Sequence, residues 1–87
     1  MREYNIYFSF NSKIEYKDIL ELINTYTENF SIIDVVGYYK GISENSKCLR
    51  IISNKLKNIE NMIESIKILG NQECVLLTTC KIKSKLI

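Results

Sequence analysis

Histidine does not occur anywhere in the 87 residues. Its absence removes the Ser–His and Cys–His pairings that commonly activate a hydroxyl or thiol, so any chemistry here proceeds without the most frequent general base. Cysteine is scarce and odd in number: Cys48, Cys74 and Cys80. A structural zinc site takes a full set of Cys or His ligands at short spacings, which one copy of this chain cannot supply, and no metal or cofactor is expected. All three cysteines fall on predicted strands and read as buried free thiols acting as small hydrophobes. No apolar run nears the ~20 residues of a membrane-spanning helix. The opening MREYNIYFSF alternates and lacks a small-residue cleavage site, so no signal peptide is expected and the predicted location is cytoplasmic, with no membrane partner. Charge of one sign is short as well. Twelve Lys and Arg against ten Asp and Glu leave +2, too even a balance for a dedicated nucleic-acid binder.

What is present suits a folded domain: 46% hydrophobic and 25% charged residues. A chain of this length forms one domain, here residues 1–87, burying roughly 60–70% of its extended surface. Tyr4, Ile6, Phe8 and Phe10 alternate with Asn5, Tyr7 and Ser9, the pattern of a half-buried strand. Ser12 and Glu15 have capping-box spacing ahead of a helix over about residues 13–29, with Ile19, Leu22, Ile23, Tyr26 and Phe30 on its apolar face. Strands follow at 31–40 and 47–53. Leu56, Ile59, Met62, Ile63, Ile66 and Leu69 then mark a second helix, which Gly70 ends. A last strand covers 73–82. Strand, helix, strand, strand, helix, strand is the order of the split βαβ: an α+β, ferredoxin-like sandwich with an antiparallel four-stranded sheet and both helices on one face. The open face of such a sheet asks for a cover, and association with further copies is the simplest one.

Lys81, Lys83 and Lys85 alternate at the end of the last strand. That strand lies at a sheet edge, where lysine discourages edge-to-edge pairing, although contact with a phosphate is the alternative. An RNA-recognition module shares this element order, yet its third strand needs stacking aromatics, and KCLRIIS has none. Nucleic acid is therefore not an expected partner.

The candidate site is the stretch DVVGYYKGISENSKCLRII, residues 34–52. It reads as two strands joined by a polar loop at 41–46, with Gly37 and Gly41 bracketing Tyr38 and Tyr39, and with Glu44 in the loop. An aromatic ring, a phenol and a carboxylate are thus displayed within a few residues. A plain hairpin whose tyrosines pack on neighbours is the other reading.

The pattern Asp34, Gly37, Tyr39, then Glu44, an apolar strand, a helix and the segment Asn71-Gln72-Glu73-Cys74-Val75-Leu76-Leu77 resembles the core of the bacteriophage S-adenosylmethionine (SAM) lyases, formerly SAM hydrolases. The resemblance runs from Asp34 to about Leu86. It implies a PII-like homo-oligomer, a trimer, acting in the host cytoplasm and holding a small-molecule ligand between subunits. In that family the substrate's own carboxylate displaces its sulfonium, giving methylthioadenosine and homoserine lactone, and the protein supplies orientation and electrostatics. By resemblance Glu44 grips the substrate ammonium, Tyr39 orients the reacting groups, and Gln72, Tyr38, Gly37 and Gly41 bind the substrate. The implied role is removal of the methyl donor as a counter-restriction activity. Two alternatives stand beside it: a non-catalytic PII-like counter-defence protein holding a nucleotide or signalling ligand, and a protein inhibitor of a host defence enzyme that docks by a strand edge.

Overall fold

The structure, a computed structural model, describes residues 1–9, 16–70, 75–83, 85 and 87, and of Tyr39 the backbone only. Six elements follow in order: β1 (Arg2–Ser9), α1 (Tyr16–Tyr26), β2 (Ser31–Tyr39), β3 (Ile42–Ser53), α2 (Leu56–Leu69) and β4 (Leu76–Lys81). The strands form one antiparallel sheet in the order β2-β3-β1-β4, so the ferredoxin-like expectation holds and β4 lies at an edge. Phe10, Ser12, Glu15, Gln72 and Cys74 fall outside the described residues. Among the described residues no helix is long and apolar enough to cross a membrane.

Alternation along the central strands sorts the two faces. Tyr4, Ile6 and Phe8 of β1, with Leu49 and Ile51 of β3, meet Ile19 and Ile23 of α1 and Ile59, Met62, Ile63 and Ile66 of α2 in one core. Leu22, Tyr26 and Phe30 are only partly buried against it. Two polar contacts join the helical layer: the hydroxyls of Tyr26 and Ser65 lie 2.9 Å apart, and Asn58 Nδ2 donates to the Tyr26 carbonyl at 2.8 Å. Leu56 and Leu69, expected on the buried side of α2, sit at its two ends and are exposed. The core does not reach the first and last turns.

The hairpin differs from the expectation. Residues 42–46 are not a loop but the first part of β3, and the connection shrinks to Lys40 and Gly41. Both have positive φ, 50° and 80°, the requirement of a two-residue turn whose twist matches the strands it joins. Ile42 through Asn45 are exposed, so their polarity reflects solvent on both sides of the ribbon rather than a break in the ladder. A Cβ added at Gly41 meets nothing within 4 Å, so Gly41→Ala carries only the backbone cost, about 1 kcal/mol. Gly37 has no positive φ, and its added Cβ would rest 3.9 Å from the Glu44 carbonyl, an ordinary contact. Denaturant midpoints should therefore separate Gly41→Ala from a near-neutral Gly37→Ala; equal losses would refute the turn assignment.

Candidate functional site

Cross-strand partners share a face, so the register assigns every hairpin side chain. Glu44 is opposite Gly37 and belongs to the open, helix-free face, together with Ser46, Cys48 and Arg50 of β3 and Asn5, Tyr7 and Ser9 of β1. The Ser9 hydroxyl donates to Glu44 Oε1, which orients the carboxylate without burying it. Gly37 offers no side chain on that rung, leaving the space across from the acid bare. Gly37, Tyr38, Ile42 and Glu44 line a shallow groove of about 280 Å³.

Tyr38 is opposite Ser43 and leaves from the helix-side face, 77% exposed, so it borders the groove from the side away from Glu44. Gly41 is in the turn. Tyr39 pairs with Ile42 through its backbone; its side chain, like all of Gln72, is outside the description. Ile42, on the same face as Glu44 and 72% exposed, was not singled out in the sequence. Its signal was hidden by the loop assignment, since alternation is counted only within a strand.

Lys47 is near Glu44 in sequence but lies on the opposite face of the sheet. It stands on the helix-side face, paired with Asp34 on the adjacent strand, and its ammonium lies 5.4 Å from the centre of the Tyr16 ring. The lysine pKa is raised, first by the hydrogen bond to Asp34 and further by that carboxylate's charge, against a lowering from desolvation. A raised lysine stabilises the fold at all pH values below the ordinary lysine value of about 10.4, and the contribution disappears as pH rises through the higher folded value. An NMR titration of the Lys47 ammonium should place its midpoint above the ordinary lysine range, and Asp34→Asn should return it there. An unchanged midpoint in that variant would assign the shift to something other than Asp34.

Further along the open face lies a polar network. The Arg50 Nε–H is shared between Glu3 at 3.2 Å and Asn5 at 3.1 Å, and the Cys48 thiol lies 3.8 Å from the same Asn5 oxygen. The Tyr7 phenol is raised above its ordinary value, first by its hydrogen bond to Cys48. Cys48 is buried as expected, whereas Cys80, also expected inside, is exposed because β4 is an edge strand with no second layer on this face. Around the network Ile33, Ile42, Ile52 and Leu76 stand exposed on the same face, an apolar rim that a single copy leaves open.

No protein-family model matches the sequence, and no curated protein matches it. Solved structures do. A phage SAM lyase in its apo state aligns at a TM-score of 0.63 and 15% identity, over 91% of this chain and 78% of the lyase. A DUF3240-family protein from Shewanella baltica aligns at 0.69 and 9%, over 99% and 94%. The PII-like protein CutA from a Nostoc species aligns at 0.55 and 15%, over 94% and 81%. At such identities the likeness is one of architecture: this chain has the sandwich found in a phage SAM lyase and in a PII-like CutA.

Proposed function

We propose that the protein is a phage-type SAM lyase working as a homo-oligomer, a trimer by resemblance, with substrate held where the β2–β3 hairpin of one copy meets the next. The observation that carries this reading is the Glu44 carboxylate, oriented by Ser9 on the open face and facing the bare rung at Gly37. SAM brings two positive groups, an ammonium and a sulfonium. An exposed carboxylate attracts the first, and a subunit closing over the groove would strengthen that attraction by excluding water. The apolar rim of Ile33, Ile42, Ile52 and Leu76 supplies a surface for the neighbouring copy.

In the proposed reaction the substrate carboxylate oxygen attacks the γ-carbon. The C–O bond of the lactone forms as the carbon–sulfur bond breaks, and the bonding pair returns to sulfur. Methylthioadenosine leaves neutral, and no proton is required in the displacement. Catalysis then reduces to holding one molecule folded on itself. Glu44 grips the ammonium, Tyr39 orients the reacting groups, and Gly37, Tyr38, Gly41 and Gln72 complete the substrate contacts. The test is direct: purified protein incubated with SAM should yield methylthioadenosine and homoserine lactone in equal amounts, and intact SAM after prolonged incubation would sink the proposal.

A second reading has its own support in the likeness to a PII-like CutA: a non-catalytic protein that sequesters a nucleotide or signalling molecule in the same cleft. A ligand that co-purifies, with SAM left intact, would favour it.

A further inference from the structure

The opposite end of the sheet carries a different set of groups. There β1 begins, β3 ends, α2 starts and β4 finishes, and between them lies a cavity of about 660 Å³ whose walls include Arg2, Tyr4, Leu56, Lys81, Ile82 and Lys83. Arg2 and Lys81 are direct cross-strand partners. Like charges on one rung repel, and among the described residues no acid lines the cavity to relieve them. Among the described residues neither Arg2, Lys81 nor Lys83 is held by a carboxylate. The first turn of α2 adds to the imbalance, since it contains no acid and its N-cap, Lys55, makes no side-chain cap bond. Leu56 is 47% exposed at this site and presents an apolar wall beside the cations.

We propose that this cavity binds a small organic phosphate, a nucleoside monophosphate by size, with its phosphate on Arg2, Lys81 and Lys83 and its apolar body against Leu56 and Ile82. The volume falls in the range of ordinary ligand pockets, about 300–1,000 Å³. A compact cluster of three cations in an open pocket, at one end of a chain of near-even charge, suits a small anion better than a nucleic-acid strand, which needs a long basic track. This site is independent of the hairpin reading: β1 pairs with β3 at Ser53 here and at Ser46 at the hairpin end, the full length of the strand away.

The test uses the full chain with AMP, adenosine and inorganic phosphate as probes. AMP at millimolar concentration should raise the melting temperature and move the backbone amide signals of Arg2, Tyr4, Leu56 and Lys81, with adenosine doing so far less. Lys81→Glu places opposite charges on the rung, so the ligand-free chain should melt higher, while AMP affinity falls about tenfold or more. A purely structural role would move the first readout and not the second. Lys81→Gln, which introduces no new charge, should weaken AMP in the same direction. Amide signals that stay put in millimolar AMP, AMP affinity untouched by both variants, or tighter binding of a single-stranded oligonucleotide at equal phosphate concentration would each overturn the assignment.

Discussion

Glu44→Gln is expected to lower SAM turnover by about a hundredfold or more while leaving the protein folded. The carboxylate is exposed, so its removal exposes no core and leaves no buried partner stranded. Glutamine also retains an oxygen that can accept the Ser9 hydroxyl, so the orientation of the side chain survives and only the charge is lost. Methylthioadenosine formation measured by chromatography, alongside thermal melts of both proteins, separates the two effects. Full turnover in the variant would assign the ammonium-binding role to another residue. A large drop in melting temperature would make Glu44 a structural residue, against its exposure.

Leu49→Ala should have the largest effect on stability. Leu49 is fully buried on β3, beneath both helices, and its truncation removes apolar contacts and leaves a cavity that the neighbouring strands cannot close. Leu→Ala at such sites costs about 3 kcal/mol. For a domain of this size that lowers the melting temperature by roughly 12–24 °C. Small domains have only about 5–15 kcal/mol of net stability, so the variant would be close to its limit. The contrast is Ile52, on the opposite face of the same strand and 48% exposed. Ile52→Ala should cost little in an isolated copy. A loss that grows with protein concentration would mean that another copy covers the face.

The element order was readable because each segment has one clear period. Ile19, Leu22, Ile23 and Tyr26 recur at helical spacing, and Tyr4, Ile6 and Phe8 at strand spacing, and all of them reach or border the core. The hairpin was harder to read for a physical reason. Backbone ladder bonds do not depend on side-chain polarity, so ISEN, exposed on both sides, looks like loop while pairing as strand. Moving the turn to Lys40 and Gly41 also changes who faces whom, because a residue's face follows from its register. It unites Glu44 with Gly37 and Ile42 and sends Tyr38 and Lys47 to the other side. The acidic candidate itself could be named from sequence, but its hydrogen bond to Ser9, 35 residues away, could not. The repulsive rung of Arg2 and Lys81 was equally out of reach, since it joins the first strand to the last. Only the lysine alternation at 81, 83 and 85 hinted at it.

The ribbon from Val36 to Asn45 has a kinetic consequence. Its described side chains are exposed on both sides, so among the described residues it lacks the second layer that holds the middle of the sheet, and a two-stranded ribbon alone is barely stable. Its amide protons should exchange with solvent well ahead of those in β1, through local openings that leave the core intact. Whatever docks at that end, a guest molecule or a sister copy, acts as a clasp, and deuterium uptake at these ten positions would record its arrival and departure.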